Sequence, residues 1–317
     1  MIELCHHRIV ITGGDGFLGR HLQLELVRRG VPQENLLIPL RQDYDLTNEG
    51  DVSRVYSEMK PDIVIHLAAE VGGIGANMKS PGRFFYANMA MGMHLIEQAR
   101  IHGVVKFVQV GTICAYPKFT PVPFCEESLW DGYPEETNAP YGIAKKSLLV
   151  MLQAYRKQYG LSGIYLLPVN LYGPGDNFNL DTSHVIPAMI RKFSEARAKG
   201  HEVVTLWGTG SASREFFHVE DCARGIADAT EKYDRPEPVN LGCGSEITIA
   251  ALASMIRKRT GFQGKVEWDP SKPDGQPRRC LDVSRAAMLF GFAAGIDLEE
   301  GLSQTIEWYL EHSNSIE

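Results

Sequence analysis

The sequence predicts an α/β protein: a doubly wound parallel sheet with a smaller C-terminal α/β lobe. Three observations carry that expectation. The stretch Arg8 to Thr12 is apolar and runs through glycines into a helical pattern. Strand-like runs then alternate with helical periodicity to about residue 170, the rhythm of parallel strands joined by crossover helices. Beyond Pro174 the rhythm changes, which marks the second lobe.

In chain order, the first strand leads into GGDGFLG and the periodic run RHLQLELVRRG. Gly13, Gly16 and Gly19 stand at GxxGxxG spacing. The first glycine permits a tight turn, the second lets backbone approach a pyrophosphate, and the third lets helix pack on strand. The helix start then offers free N–H groups to phosphates. A Rossmann-like dinucleotide-binding domain is expected over residues 1–170, with 214–240 returning to it, and a substrate lobe over 171–317. Gly13, Gly16, Phe17, Leu18 and Gly19 are the candidate cofactor residues of this loop. The second strand is expected at Asn35 to Leu40. Arg41 at its end could meet a 2′-phosphate, where an acid would hold a ribose hydroxyl. That favours NADP(H), with NAD the alternative, because Asp15 in the glycine loop would repel a phosphate.

A third strand, Asp62 to Leu67, runs into the small residues Ala68, Ala69, Gly72 and Gly73, which let a flat ring or ribose approach the backbone. Leu67, Ala68 and Ala69 join the candidate cofactor set. His66 inside this strand reads as a core histidine. A long helix with Asn88 near its start follows, its methionines read as packing.

The stretch from Val108 to Lys145 is the expected centre of chemistry. VQVGTICAYPK begins as an apolar strand, and if the strand continues, alternation puts Thr112 and Cys114 on one side at its carboxyl end. Open α/β sheets do their chemistry at that end. Tyr141 and Lys145 stand four apart, one helical turn, so phenol and ammonium share a face and the positive charge favours the phenolate. Tyr141 is thus a candidate proton donor and acceptor. Farther on, GIYLLPVNLYGP reads as a strand ending in Asn170 and Tyr172, followed by a polar loop with His184 and a basic helix with Arg191 and Lys192.

Bulk properties narrow the class. The 317 residues are 44% hydrophobic and 22% charged, the balance of a globular enzyme. A net charge of -7 argues against nucleic acid or an anionic membrane as the main partner. The six cysteines are scattered without metal-ligand spacing, so cytosolic thiols and no metal are expected. No apolar run approaches the ~18 residues of a membrane span, and the chain starts directly with a strand, so a cytoplasmic location is expected.

With the glycine loop and the Tyr141–Lys145 pair established, the chain resembles the extended short-chain dehydrogenase/reductases, which modify nucleotide-activated sugars. HLAAEVGGIGAN (66–77), CAYPK (114–118), ETNAPYGIAKK (136–146), NLYGPGDNF (170–178), SHVIPAMIRKF (183–193), WGTG (207–210), REFFHVEDCA (214–223) and SKPDGQPR (271–278) narrow the resemblance. They are similar to the branch of epimerase-reductases acting on GDP-4-keto-6-deoxy-mannose, over nearly the whole chain.

That resemblance implies roles. Cys114 and His184 would be the acid and base that invert C3 and C5, whose protons the 4-keto group acidifies. Tyr141 would protonate the C4 oxygen that Thr112 hydrogen-bonds, while Lys145 holds the nicotinamide ribose. His184 would touch the cofactor as well. Asn170, Lys192, Trp207, Arg214 and Asp274 would bind the GDP-sugar, with Arg214 suited to clamp a diphosphate. A homodimer is implied through helices beside that of Tyr141. Ile113 stands where a second small hydroxyl residue is usual and Ala115 where a larger aliphatic is, so a heptose or dideoxy 4-keto sugar is a further candidate. A 4-epimerase or dehydratase with retained NAD is a second reading, and a non-catalytic dinucleotide-binding module a third.

Overall fold

The apolar runs of the first half pair in parallel. The computed structural model describes residues 1–72, 74–272 and 274–313. Gly73 and Pro273, inside two of the quoted motifs, lie outside the described residues. In chain order the strands are β1 (Ile9–Thr12), β2 (Leu36–Leu37), β3 (Ile63–His66), β4 (Lys106–Val110), β5 (Gly163–Pro168), β6 (Asn170–Tyr172), β7 (Val203–Trp207), β8 (Ser213–His218), β9 (Val239–Leu241), β10 (Glu246–Thr248), β11 (Lys265–Asp269) and β12 (Arg278–Arg279). Among the described residues the main sheet has the order β2-β1-β3-β4-β5-β9, and all its pairings are parallel.

β1, β3, β4 and β5 are buried along their whole length, as a parallel sheet covered on both faces requires. The helices that cover it follow its strands. α1 (Phe17–Arg28) succeeds β1, and α2 (Glu49–Met59) succeeds β2. α3 (Ile74–Lys79) and α4 (Pro81–Ile101) follow β3, and α5 (Ala139–Tyr159) precedes β5. From β1 the chain steps out to β2 and then returns past β1 to β3. That reversal opens a crevice at the carboxyl ends of β1 and β3, the usual ligand site of such sheets.

The second half builds its own sheet around β8, with β10 antiparallel and β6 and β12 parallel to it; β7 and β11 form a separate parallel pair. Its helices are α6 (Val185–Lys199), α7 (Val219–Lys232), α8 (Ile249–Thr260), α9 (Ser284–Phe290) and α10 (Leu298–His312). Ile186, Ile190 and Phe193 of α6 meet Leu252 and Ile256 of α8 and Leu302 and Ile306 of α10 in a second core. α7 instead packs on α1, and Leu281, Ala286, Phe290 and Phe292 also belong to the first core. The chain thus crosses between the cores more than once. Among the described residues no helix is long and apolar enough to cross a membrane.

Two expectations about strands need correction. β2 covers Leu36–Leu37 rather than Asn35 to Leu40. It is an edge strand, and Pro39 has no N–H to continue a ladder. β4 stops at Val110, so Thr112 and Cys114 are not on strand. Thr112 is extended, its hydroxyl accepts the Cys114 N–H at 3.2 Å, and Ile113–Ala115 forms a 3-10 turn. A threonine at a cap position competes with the strand in this way.

The joint between the two cores rests on one buried carboxylate. Glu215 on β8 accepts backbone N–H bonds from Cys243 (2.6 Å), Gly244 (2.8 Å) and Leu281 (2.7 Å). Burial pushes its pKa up against those three bonds. Glu215→Ala should leave the donors unpaired and cost about 3 kcal/mol or more, lowering the melting temperature by roughly 6–12 °C. Thermal denaturation followed by circular dichroism measures the difference; a variant that melts with the wild type would remove Glu215 from the joint.

Candidate active site

The cleft begins where β1 ends. Gly13 has φ +69, and a Cβ there would lie 2.9 Å from the Ala68 nitrogen, so the glycine turn and the small residues after β3 are pressed together. A Cβ on Gly19 would collide with the Gly13 carbonyl oxygen, which is why α1 can start against the turn. Gly16 caps α1 without a side-chain bond, leaving the helix start to offer its N–H groups to an anion. Phe17, Leu18, Leu67, Ala68 and Ala69 line the same end of a cleft of about 1000 Å³. These features fit a dinucleotide: a phosphate-sized turn, free donors and small residues beside it. Arg41 reaches the mouth with its side chain 84% exposed, 3.4 Å from Glu70, and Arg83 also grips Glu70.

Tyr141 and Lys145 enter from the first turns of α5. Pro140 starts that helix and Gly160, at φ 73, ends it, a common distribution of the two residues. A Cβ on Gly142 would overlap the Cys114 carbonyl oxygen. Helix and turn therefore meet backbone to backbone, and Tyr141, Thr112 and Cys114 share one wall of the cleft. Lys145 is 1% exposed; its Nζ donates to the Val110 carbonyl at 3.1 Å, and burial lowers its pKa to about 8. Tyr141 runs against expectation. Burial, and then the Cys114 charge, push its pKa up, with only the Thr112 hydrogen bond opposing. Lys145 is not among the groups that shift the phenol, and the hydration that a buried phenolate loses outweighs the one hydrogen bond. His184 caps α6, lines the cleft, and has its pKa lowered by burial.

The far end carries the remaining candidates, Asn170, Lys192, Trp207, Arg214 and Asp274, all on the cleft lining. Asn170 donates to the Glu215 carbonyl at 2.9 Å, and Lys192 to that of Thr205 at 3.1 Å. Trp207 is 58% exposed and presents an aromatic face at the rim. Asp274 is engaged by the turn after β7, accepting from Thr209 N and Oγ1 at 2.8 Å each. Arg214 donates to Ser213 O and Asp274 O. Burial, then repulsion by Arg279, lowers its pKa to about 10. Arg191 instead pairs with Glu195 and the Phe178 carbonyl, outside the lining.

Arg279 is the residue that reading the sequence missed. Its Nη1 lies 3.7 Å from Cys114 Sγ, and its Nε donates to Gln276 Oε1 at 2.8 Å. The signal was present in the adjacent pair Arg278–Arg279 on β12. Neighbouring strand residues face opposite ways, so while Arg278 pairs with Glu246 the other turns to the cleft. Two guanidiniums that repel one another beside a cysteine mark a place for negative charge. Among the described residues one trio could hold a metal ion, Glu3, Cys5 and His6, and none of the three lines the cleft.

Comparison with known proteins places the chain in a family. GDP-L-fucose synthase 1 of Arabidopsis thaliana is 42% identical over 305 residues, covering 96% of this chain and 94% of the plant protein. A GDP-6-OMe-4-keto-L-xylo-heptose reductase from Campylobacter jejuni superposes with a TM-score of 0.89 at 29% identity, over 96% of this chain and 97% of its own. A GDP-L-fucose synthetase from Naegleria fowleri, solved bound to NADP, gives 0.88 at 26% identity, over 97% and 95%. The model of the NAD dependent epimerase/dehydratase family matches residues 9–242, and the chain belongs to that family.

Proposed function

We propose that the chain converts GDP-4-keto-6-deoxy-mannose to GDP-L-fucose, inverting C3 and C5 and then reducing C4 with NADPH. The observation that carries this reading is the meeting of Cys114, His184 and Tyr141 on one cleft beside the glycine turn. The 42% identity to a plant GDP-L-fucose synthase supports it, as does the relative solved with NADP.

The residues divide the work. Cys114 takes the acidified proton from the carbon beside the ketone, and Arg279 sets a positive charge against its sulfur. His184 returns a proton on the opposite face; because burial lowers its pKa, its protonated form is a stronger acid than ordinary imidazolium. Gly13, Gly16, Gly19, Ala68 and Ala69 would hold NADPH, which would supply the hydride for C4. Tyr141 delivers the matching proton to the C4 oxygen, which Thr112 also binds, and Lys145 holds the ribose and stabilises the phenolate left behind. Arg214 takes the diphosphate, Lys192 and Asn170 the sugar, and Trp207 stacks on the base. Arg41 faces the 2′-phosphate, with Asp15 opposing it.

Ile113 favours a second substrate as an alternative. It lines the cleft beside Thr112 and Cys114, and the Campylobacter relative is named for a 4-keto heptose. A GDP-4-keto heptose or dideoxy sugar is therefore the competing substrate.

A homodimer and a cytoplasmic setting complete the proposal. α4 and α5 lie side by side and expose Tyr86, Met93 and Val150, an apolar surface suited to a second copy. Light scattering should give twice the 35.3 kDa chain mass. All six cysteines are unpaired thiols, as a reducing compartment allows.

The test is incubation with GDP-4-keto-6-deoxy-mannose and NADPH or NADH, with the sugar product identified by NMR. NADPH should be consumed and GDP-L-fucose formed. Cys114→Ser should lose epimerisation by about 10²–10⁴-fold yet still reduce the unepimerised ketone; full fucose formation by that variant would exclude the thiol. The pH dependence follows from Lys145. Its ammonium is charged below about pH 8 and neutral above, so kcat/KM should fall as pH rises through 8. A profile flat to pH 10 would contradict its role.

A further inference from the structure

Beneath the Tyr141–Lys145 pair runs a row of polar side chains in an otherwise apolar sheet. Thr12, His66, Gln109 and Tyr165 are register partners across β1, β3, β4 and β5. Partners in parallel strands point to the same face. All four are fully buried, at 0%, 0%, 0% and 1% exposure, and the rows beside them hold residues such as Ile11, Ile65 and Val108.

The hydrogen bonds of the row are nearly complete. Thr12 Oγ1 accepts the Ala68 N–H at 3.3 Å and lies 2.7 Å from His66 Nδ1; the hydroxyl donates to Nδ1 in the tautomer that carries the ring proton on Nε2. Burial holds the His66 ring neutral, its pKa far below the usual value, with Lys145 adding to the effect. A neutral ring that accepts at Nδ1 carries its hydrogen on Nε2. Gln109 Nε2 donates to the Val110 carbonyl at 2.9 Å, which fixes the amide with Oε1 turned the other way. Tyr165 donates to the Lys145 carbonyl at 2.9 Å, pinning that residue's backbone.

Two atoms remain without a protein partner: His66 Nε2, a donor in that tautomer, and Gln109 Oε1, an acceptor. They stand on neighbouring strands at matched register, and Lys145 acts on His66 electrostatically. Lys145 has three N–H donors, and among the described residues the one acceptor that it meets is Val110 O. An orphan donor, an orphan acceptor and an under-satisfied ammonium in one buried place are the usual partners of an internal water.

We propose that His66 and Gln109 hold a water molecule against the Lys145 ammonium, and that through it these two strand residues position the cation for its work on Tyr141. The proposal rests on the reading of Tyr141 and Lys145 as the proton-transferring pair. Of the titratable groups, His66 from β3 interacts with the cation, Tyr165 from β5 bonds the backbone of its residue, Tyr141 stands one turn before it on α5 with Cys114 beyond, and no carboxylate acts on it. Water and amide oxygen therefore supply what a counter-ion would.

Two measurements on the full-length enzyme test this. A high-resolution crystal structure should show one water within hydrogen-bond distance of His66 Nε2, Gln109 Oε1 and Lys145 Nζ; no water shared by the three would overturn the proposal whatever the substrate proves to be. In the reductive assay, Gln109→Met keeps the shape but removes the acceptor, so the basic limb of kcat/KM should move down by about one pH unit. Gln109→Glu places an anion there and should move it up. A residue with a merely structural role would lower the melting temperature without displacing the limb in opposite directions, and that result would also overturn the proposal. Failure of the wild type to reduce any keto sugar would sink the functional reading and leave the crystallographic test standing.

Discussion

The absence of one side-chain carbon, at Gly142, organises the site. Because nothing projects from that position, the first turn of α5 presses directly on the Cys114 carbonyl. A phenol on a helix and a thiol on a loop are thereby fixed against each other by backbone contact, not by flexible side chains. Gly19 does the same work at the cofactor end, seating α1 on the Gly13 turn. Positioning of this kind is how a scaffold turns a collision between reactants into a prepared geometry.

Electrostatics then distributes the roles. The chain as a whole carries -7, and its cleft sets Arg214, Arg279, Lys192 and Lys145 among acids such as Asp15, Glu70 and Asp274. Arg214 and Arg279 stand close enough to repel, an arrangement that costs stability unless an anion joins them. A diphosphate and a thiolate are the two anions that the proposed chemistry brings there. Lys145 and Tyr141 lie deeper, where burial resists charge on either. In the protein alone the phenol stays protonated and ready to give its proton, and an added partner at the ribose must help it to ionise.

Much of this was legible in the sequence because it is local. Glycine spacing after an apolar strand and a Tyr–Lys pair one turn apart are short-range patterns, and the structure carries all of those residues to one cleft. Cys114 reached the expected wall by an unexpected route, since Thr112 caps a turn and does not continue β4. Contacts between distant segments left no local trace. Arg279 meets Cys114 across a separation of 165 positions, and the row from Thr12 to Tyr165 exists only once four strands have chosen their register. The balance between burial and ion pairing at Tyr141 is likewise a property of depth, which spacing does not encode.

The central claim is that a thiol, an imidazole and a phenol act in sequence around one ketone. Its most direct test is to run the wild-type reaction in D2O with protiated NADPH and locate deuterium in the product. The account predicts solvent deuterium at both C3 and C5 and none at C4, where the hydrogen comes from the cofactor. A product without deuterium at C3 and C5 would show that neither carbon was opened, and would contradict it.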